Sequence, residues 1–256
     1  MATGSQIEWT DATWNPSVGC TKISAGCKNC YAATLHARLT EMGQVKYAGP
    51  FTRVRPWPDH LELPLHWRTP RMVFVNSMSD LFHESLPFEH VDSVFDVMRR
   101  ASQHTFQVLT KRAAYLRRMS SRLEWPSNVW MGVSVEDRAA CTRIKDLVQV
   151  PAAVRFLSVE PLLESIPELP LEGIHWVIVG GESGKGFRPM RPEWAQSIRD
   201  QCVAAGIPLF FKQWGGIRPK AGGNLLDRRV WRQFPPATRG RRKLASTRGQ
   251  ESLPGM

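Results

Sequence analysis

The chain has 256 residues, a net charge of +11, and a composition that is 42% hydrophobic and 22% charged. That length suits a single α/β barrel, and it buries enough surface to fold without disulfides or metals as staples. Apolar runs such as IHWVIVGG are far too short to span a bilayer, and no basic-then-apolar leader opens the sequence. We therefore expect a cytoplasmic protein with no membrane partner. Thiols stay reduced in that compartment, so three clustered cysteines among five argue for metal rather than disulfides.

In chain order, Ile7–Thr10 reads as a short first strand, and Trp14-Asn15-Pro16 as a turn, because Pro16 removes a donor and biases Asn15 away from helix. The stretch CTKISAGCKNC follows, with Cys20, Cys27 and Cys30 spaced Cys-x6-Cys-x2-Cys. YAATLHARLTEMG then reads as a helix stopped by Gly43. Residues 44–70 are rich in Pro, Arg and Trp and read as an irregular connection, with one helical turn near Leu61–His66. From there strands and helices alternate: MVFVNS, the helix opened by Pro87, FQVLT, the basic helix KRAAYLRRMSSRL, NVWMGVSV, EDRAACTRIKDLV, AVRFLSVE, HWVIVGGESG, RPEWAQSIRDQCVAAG and PLFFKQW. About seven mostly apolar strands linked by helices predict an α/β fold. The mainly parallel sheet of six to eight strands would curl into a full or partial (β/α) barrel.

This barrel domain is expected over residues 1–216. Residues 217–256 form a basic extension with ten Lys/Arg and two Asp/Glu, containing a short hairpin and, after Pro235, disorder. Such an extension suits phosphate contact by counterion release, or simply solubility.

Nearly every strand ends in polar residues, and in a βα barrel those ends share one face. Asn76, Ser77 and Asp80 follow the second strand, and Lys111 the third. Ser134 and Glu136 follow the fourth, Ser158 and Glu160 the fifth, Gly180, Gly181 and Glu182 the sixth, and Lys212 the last. We expect Asn76, Ser77, Asp80, Ser134 and Glu136 to hydrogen-bond polar groups of a cofactor. Gly180-Gly181-Glu182 would let backbone approach that cofactor or would form a tight turn. Lys111, Arg188 and Lys212 are candidate anion binders for a substrate.

Two metal chemistries fit the cysteines. Structural zinc takes four ligands, and here His36 could join the three thiolates. Three thiolates with an open position also suit a [4Fe–4S] cluster whose fourth iron binds a ligand. Cys141 and Cys202 fall at inward helix positions and read as small apolar residues.

Three close cysteines after the first strand of a βα barrel resemble the radical S-adenosylmethionine enzymes. That resemblance implies a [4Fe–4S] cluster on Cys20, Cys27 and Cys30. It also implies S-adenosylmethionine (AdoMet) bound to the free iron, a 5′-deoxyadenosyl radical as the hydrogen-abstracting species, and an electron donor. With that cofactor, Asn76, Ser77 and Asp80 would meet its amino or ribose groups, Ser134 and Glu136 its ribose or methionine part, and Gly180-Gly181-Glu182 its adenine. The sequence departs from the commonest motif: the first gap is six residues rather than three, and Asn29 stands where an aromatic residue usually precedes the third cysteine. A closer resemblance covers nearly the whole folded part. TWNPSVGCTKISAGCKNCYA, VFVNSMSDLFHE, LTKR, GVSVED, LSVEPLL, VIVGGESG and FFKQWG are similar to the phage-associated family named after gene products thirty-seven and sixty-eight. Members often lie beside a three-Cys-motif partner protein, which that resemblance implies as a partner.

Two functions from different classes follow. One is a radical-AdoMet-type enzyme acting on nucleic acid or nucleotides, in keeping with the basic extension and ten tryptophans. The other is a non-catalytic nucleic-acid-binding protein stapled by zinc or an iron–sulfur centre. Metal-assisted phosphate-ester hydrolysis would need a histidine–carboxylate cluster at a strand end, and none is evident.

Overall fold

The structure is a computed structural model that describes residue 5, residues 7–218 and residues 220–236. Seven parallel strands form one sheet in chain order: β1 (Ala12–Trp14), β2 (Met72–Val75), β3 (Thr105–Thr110), β4 (Val129–Ser134), β5 (Val154–Val159), β6 (Trp176–Gly180) and β7 (Leu209–Gln213). Each strand pairs with its sequence neighbour, and β1 and β7 remain the two ends of the sheet. The sheet is therefore a half-barrel, the partial form of the expected architecture.

Five helices flank it: α1 (Tyr31–Glu41), α2 (Phe88–Arg100), α3 (Ala113–Ser120), α4 (Thr142–Leu147) and α5 (Pro192–Ala204). Two expectations need correction. The first strand is Ala12–Trp14, not Ile7–Thr10, because Asp11 N donates to Met72 O and Met72 N to Asp11 Oδ2, which sets the pairing with β2 one turn later. And no helix links β5 to β6: Pro161–Ile174 crosses as a loop that buries Leu162, Ile166 and Leu169. Among the described residues no helix is long and apolar enough to cross a membrane.

Side chains alternate across the strands, so each strand feeds two cores. Val73, Val75, Phe106, Val108, Met131 and Val133 meet the buried stripe of α2, Val91, Val94, Phe95 and Met98, in the large helix-covered core. The opposite, concave face carries Trp9, Phe74, Trp130, Phe156, Trp176 and Phe210. Their rings pack mostly edge-to-face, as Trp9 on Phe74 at 4.8 Å and Trp130 on Trp176 at 6.0 Å. This aromatic plug fills the half-barrel near the N-terminal strand ends.

After β7 the chain forms a two-residue hairpin, Leu225–Leu226 with Arg229–Val230, whose turn residues Asp227 and Arg228 have φ of 52° and 60°. The next segment runs antiparallel along the edge of β7: Phe211 N donates to Trp231 O at 2.8 Å and Gln233 N to Leu209 O at 3.0 Å. Phe234 then covers Trp176 at 5.1 Å. The disorder expected after Pro235 falls almost entirely outside the described residues.

Candidate active site

Above the plug, the concave face turns polar. Counting inward-facing positions from the plug, Phe74 leads to Asn76, Phe156 to Ser158 and Glu160, and Phe210 to Lys212. These residues line a cavity of about 480 Å³ whose opposite wall is the cysteine loop, with Cys20, Cys27 and Cys30 all on the lining. That volume lies within the range of small-molecule sites, roughly 300–1,000 Å³.

Three strand-end carboxylates brace the loop at three points. After β2, Asp80 accepts from Thr110 Oγ1 at 2.6 Å and Lys111 N at 3.1 Å, and lies 4.0 Å from Arg112. Arg112 donates to Thr21 O and Oγ1, beside Cys20. After β4, Glu136 accepts from Ser24 Oγ at 2.7 Å and Arg143 Nη1 at 2.6 Å, and pairs with Lys111 Nζ at 3.0 Å. Ser24 Oγ lies 3.7 Å from Cys27 Sγ. A Cβ at residue 26 would fall 2.4 Å from Glu136 Cγ, so only glycine lets the loop press onto this carboxylate. After β6, Glu182 accepts from Asn29 Nδ2 and from Arg188 N and Nε, at 2.8–2.9 Å. Asn29 lies between Cys27 and Cys30.

The charges follow from these contacts. Burial opposes ionisation of Glu136, but Lys111, Arg143 and the Ser24 hydrogen bond outweigh it and hold its pKa at about 2. Burial likewise opposes ionisation of Glu182, and the hydrogen bonds from Arg188 and Asn29 bring its pKa below the usual value. Burial pushes the Cys20 thiol up to about 12, with Asp80 adding to the rise and Arg112 opposing it. A metal at Cys20 must therefore displace a proton.

Of the residues singled out from the sequence, Asn76, Ser77, Asp80, Ser134, Gly181 and Glu182 line the cavity, as do Lys111 and Lys212. Ser77 Oγ exchanges hydrogen bonds with the Asn15 side chain, and its carbonyl accepts from Tyr31 Oη at 2.6 Å. Gly180, Glu136 and Arg188 lie outside the lining. Glu136 is fully buried behind the loop, and Arg188 is bonded to Glu182. At Gly181 a Cβ would fall 1.9 Å from Trp214 O, so the glycine admits the neighbouring chain segment. His36 packs between Tyr47 and Phe51, ring centroids 5.6 and 5.3 Å away, and is not on the lining, so it does not join the thiols as a fourth zinc ligand.

Ser158 and Glu160, named among the polar strand ends, also line the cavity, as do Trp9, Asn29 and Tyr31, to which sequence reasoning assigned no site role. For Ser158 and Glu160 the signal was present: period-two counting from Phe156 puts both on its face. Trp9 and Asn29 reach the site through tertiary contacts that no local pattern announces.

The donor set suits a soft metal centre, because three thiols come from one loop and face one cavity. Asn76 adds a second indication. Its Nδ2 donates to Ser17 Oγ at 2.7 Å, while its buried Oδ1 has no partner among the described residues and so offers an acceptor to a ligand. Among the described residues, however, no group of three His, Cys, Asp or Glu side chains is arranged to hold a metal ion.

Comparisons with known proteins place the chain. Several spore photoproduct lyase structures are similar to it at low identity. One, complexed with dinucleoside spore photoproduct, is 12% identical with a TM-score of 0.47. Another, a mutant with bound AdoMet and dinucleoside spore photoproduct, is 10% identical with a TM-score of 0.45. Each match covers 78% of this chain, which spans 63% of the length of those proteins. No curated protein matches. The family described as "Protein of unknown function (DUF5131)" matches residues 4–235, nearly the whole described chain, and the protein belongs to that family.

Proposed function

We propose that this protein is a radical-AdoMet-type enzyme acting on a nucleic acid or nucleotide. One observation carries the reading: three thiols on a single loop line a cavity at the C-terminal ends of a parallel half-barrel, and two buried carboxylates, Glu136 and Glu182, together with Arg112 beside Asp80, fix that loop. Active sites of βα barrels are built on that face. Structural zinc requires a fourth protein ligand, and the candidate, His36, lies elsewhere.

In this reading Cys20, Cys27 and Cys30 would hold a [4Fe–4S] cluster. Once bound, the cluster and AdoMet would supply radical hydrogen abstraction, with the electron coming from an electron donor. The chain's own residues do the rest. Asn76 Oδ1 would accept from the AdoMet amino group, and Ser77 and Ser134 would offer hydroxyls to its polar parts. Lys111, already paired with Glu136, would meet its carboxylate. The braces through Asp80, Glu136 and Glu182 keep the loop in place while its thiols lose their protons. The aromatic plug closes the base of the site against water. The resemblance to the phage-associated gene-product family, with its three-Cys-motif partner, belongs to the same reading.

The test is anaerobic reconstitution with iron and sulfide analysis, and electron spin resonance with and without AdoMet. About four irons per chain, lost in Cys27→Ala, with a signal perturbed by AdoMet and release of 5′-deoxyadenosine, is the expected result. One zinc and no iron, or an intact cluster that never cleaves AdoMet, overturns it.

A further inference from the structure

Four carboxylates stand at the strand ends: Asp80, Glu136, Glu160 and Glu182. Three of them reach the cysteine loop directly or through Arg112. Among the described residues Glu160 bonds only to Lys212, Oε1 to Nζ at 2.5 Å. The two residues belong to β5 and β7 ends, with β6 between them. In register, Ser158 pairs with Ile178 and Ile178 with Phe210; a bulge then sets Gly180 opposite Gln213, and Glu160 and Lys212, each two residues past its register position, both reach the cavity. A Cβ at residue 180 would meet Glu160 Cδ at 3.2 Å and Cγ at 3.3 Å. Glycine therefore clears the path by which Glu160 crosses over β6 to Lys212.

This arrangement is not explained by stability. The side chains keep 21% and 18% of their exposure, and a partly solvated ion pair contributes little. Both residues line the cavity. The pair offers a ligand an acceptor at Glu160 Oε2 beside donors at Lys212 Nζ. A second, independent observation lies on the same lining: Trp9 is 2% exposed, and its Nε1 has no partner among the described residues. An indole N–H and a donor–acceptor couple beside aromatic rings suit a planar heterocycle with alternating donors and acceptors. Bases taken out of a duplex are held in this way, by hydrogen bonds to the pairing edge and by flat side chains.

We infer that Glu160 and Lys212, set side by side by Gly180, read the pairing edge of a nucleobase in the substrate. The inference rests on the proposed nucleic-acid reading and names the part of the substrate recognised. Lys212 donates to a ring nitrogen or carbonyl oxygen, and Glu160 accepts from an adjacent N–H. The phosphate is left to other groups.

The experiment is calorimetric titration of the full chain, with and without reconstituted cluster, with thymidine, deoxycytidine and deoxyguanosine. Adenine nucleosides are left out because AdoMet itself carries adenine. Controls are 3-methylthymidine, whose pairing edge is blocked, and 2-deoxyribose 5-phosphate, which has no base. We expect at least one nucleoside to bind, with affinity about tenfold or more weaker in Glu160→Gln and in Lys212→Met. If thymidine is the ligand, blocking its edge should cost as much in the wild-type chain, which requires no folded variant. Equal binding of the sugar phosphate, binding by none of the three nucleosides, or less than a twofold change in both variants overturns the inference. The enzyme reading fails separately, when no cluster forms or AdoMet stays intact whatever the nucleosides do.

Discussion

The two ends of the concave face are built from the same strands and yet differ in almost every property. At the N-terminal ends Trp9, Phe74, Trp130, Phe156, Trp176 and Phe210 interlock with nearly no exposure. Two to four residues further along, Asn76, Ser134, Ser158, Glu160 and Lys212 line an open cavity. The difference teaches that stability and chemistry are divided along the strand axis. The plug has few polar groups to satisfy. The mouth holds ions, of which Glu136 and Glu182 hold the cysteine loop and Glu160 pairs with Lys212.

The comparison can be broken first at the plug. Trp176 is fully buried and touches five aromatic neighbours, Trp9, Trp130, Phe156, Phe210 and Phe234. Trp176→Ala should lower stability by about 3–5 kcal/mol, read from denaturant midpoints at an unchanged m-value. An effect under about 1 kcal/mol would mean the plug does not carry the fold.

The next largest effect should come from Glu136, the most buried of the braces. Its folded pKa of about 2 lies below its ordinary value of 4.5. It therefore contributes stability that is fully present above about pH 4.5 and is lost as pH falls from there toward 2, on the order of 3 kcal/mol in all. Glu136→Gln should remove that contribution at neutral pH and flatten the acid limb of the stability curve between those values. An unchanged limb would assign the acid sensitivity to other groups.

A smaller change sharpens the division. Ser24→Ala deletes one hydrogen bond between the loop and Glu136, which is worth about 1 kcal/mol. Most of the loss should appear locally, as faster amide exchange at Cys27 and Lys28 with little change in the sheet. Uniform acceleration across the strands would instead make the brace part of the global fold. Smallest of all, Ser158→Ala at the mouth should change stability by less than about 1 kcal/mol, against the large loss at Trp176 one strand away. A loss as large as that of Trp176→Ala would erase the distinction between the two ends.

Much of this architecture was legible beforehand. Apolar runs such as MVFV, FQVLT and VIVG, each followed by a helical pattern or a polar strand end, declare parallel strands, because only a strand buried on both faces tolerates such runs. The clustering of Cys20, Cys27 and Cys30 declares their shared loop, since eleven residues leave the chain no room to separate them. Position along the strands also put Asn76, Ser134 and Lys212 on one face. The roles of the acids were another matter. Glu136 and Glu182 carry the same local signature as Glu160, a carboxylate just past an apolar run, yet two of them bond to the cysteine loop and the third to a lysine two strands away.

The sequence by itself therefore determined the element types, the parallel course of the sheet and the residues presented at its mouth, because these depend on local periodicity and spacing. Only the tertiary structure decided where the first strand begins, that β5 and β6 join without a helix, that the sheet stops at a half-barrel, and which partner each carboxylate meets. Those outcomes depend on contacts between residues far apart in the chain, such as Ser24 with Glu136 and Asn29 with Glu182. Their energies are set by burial and hydrogen-bond geometry, which no stretch of sequence contains on its own.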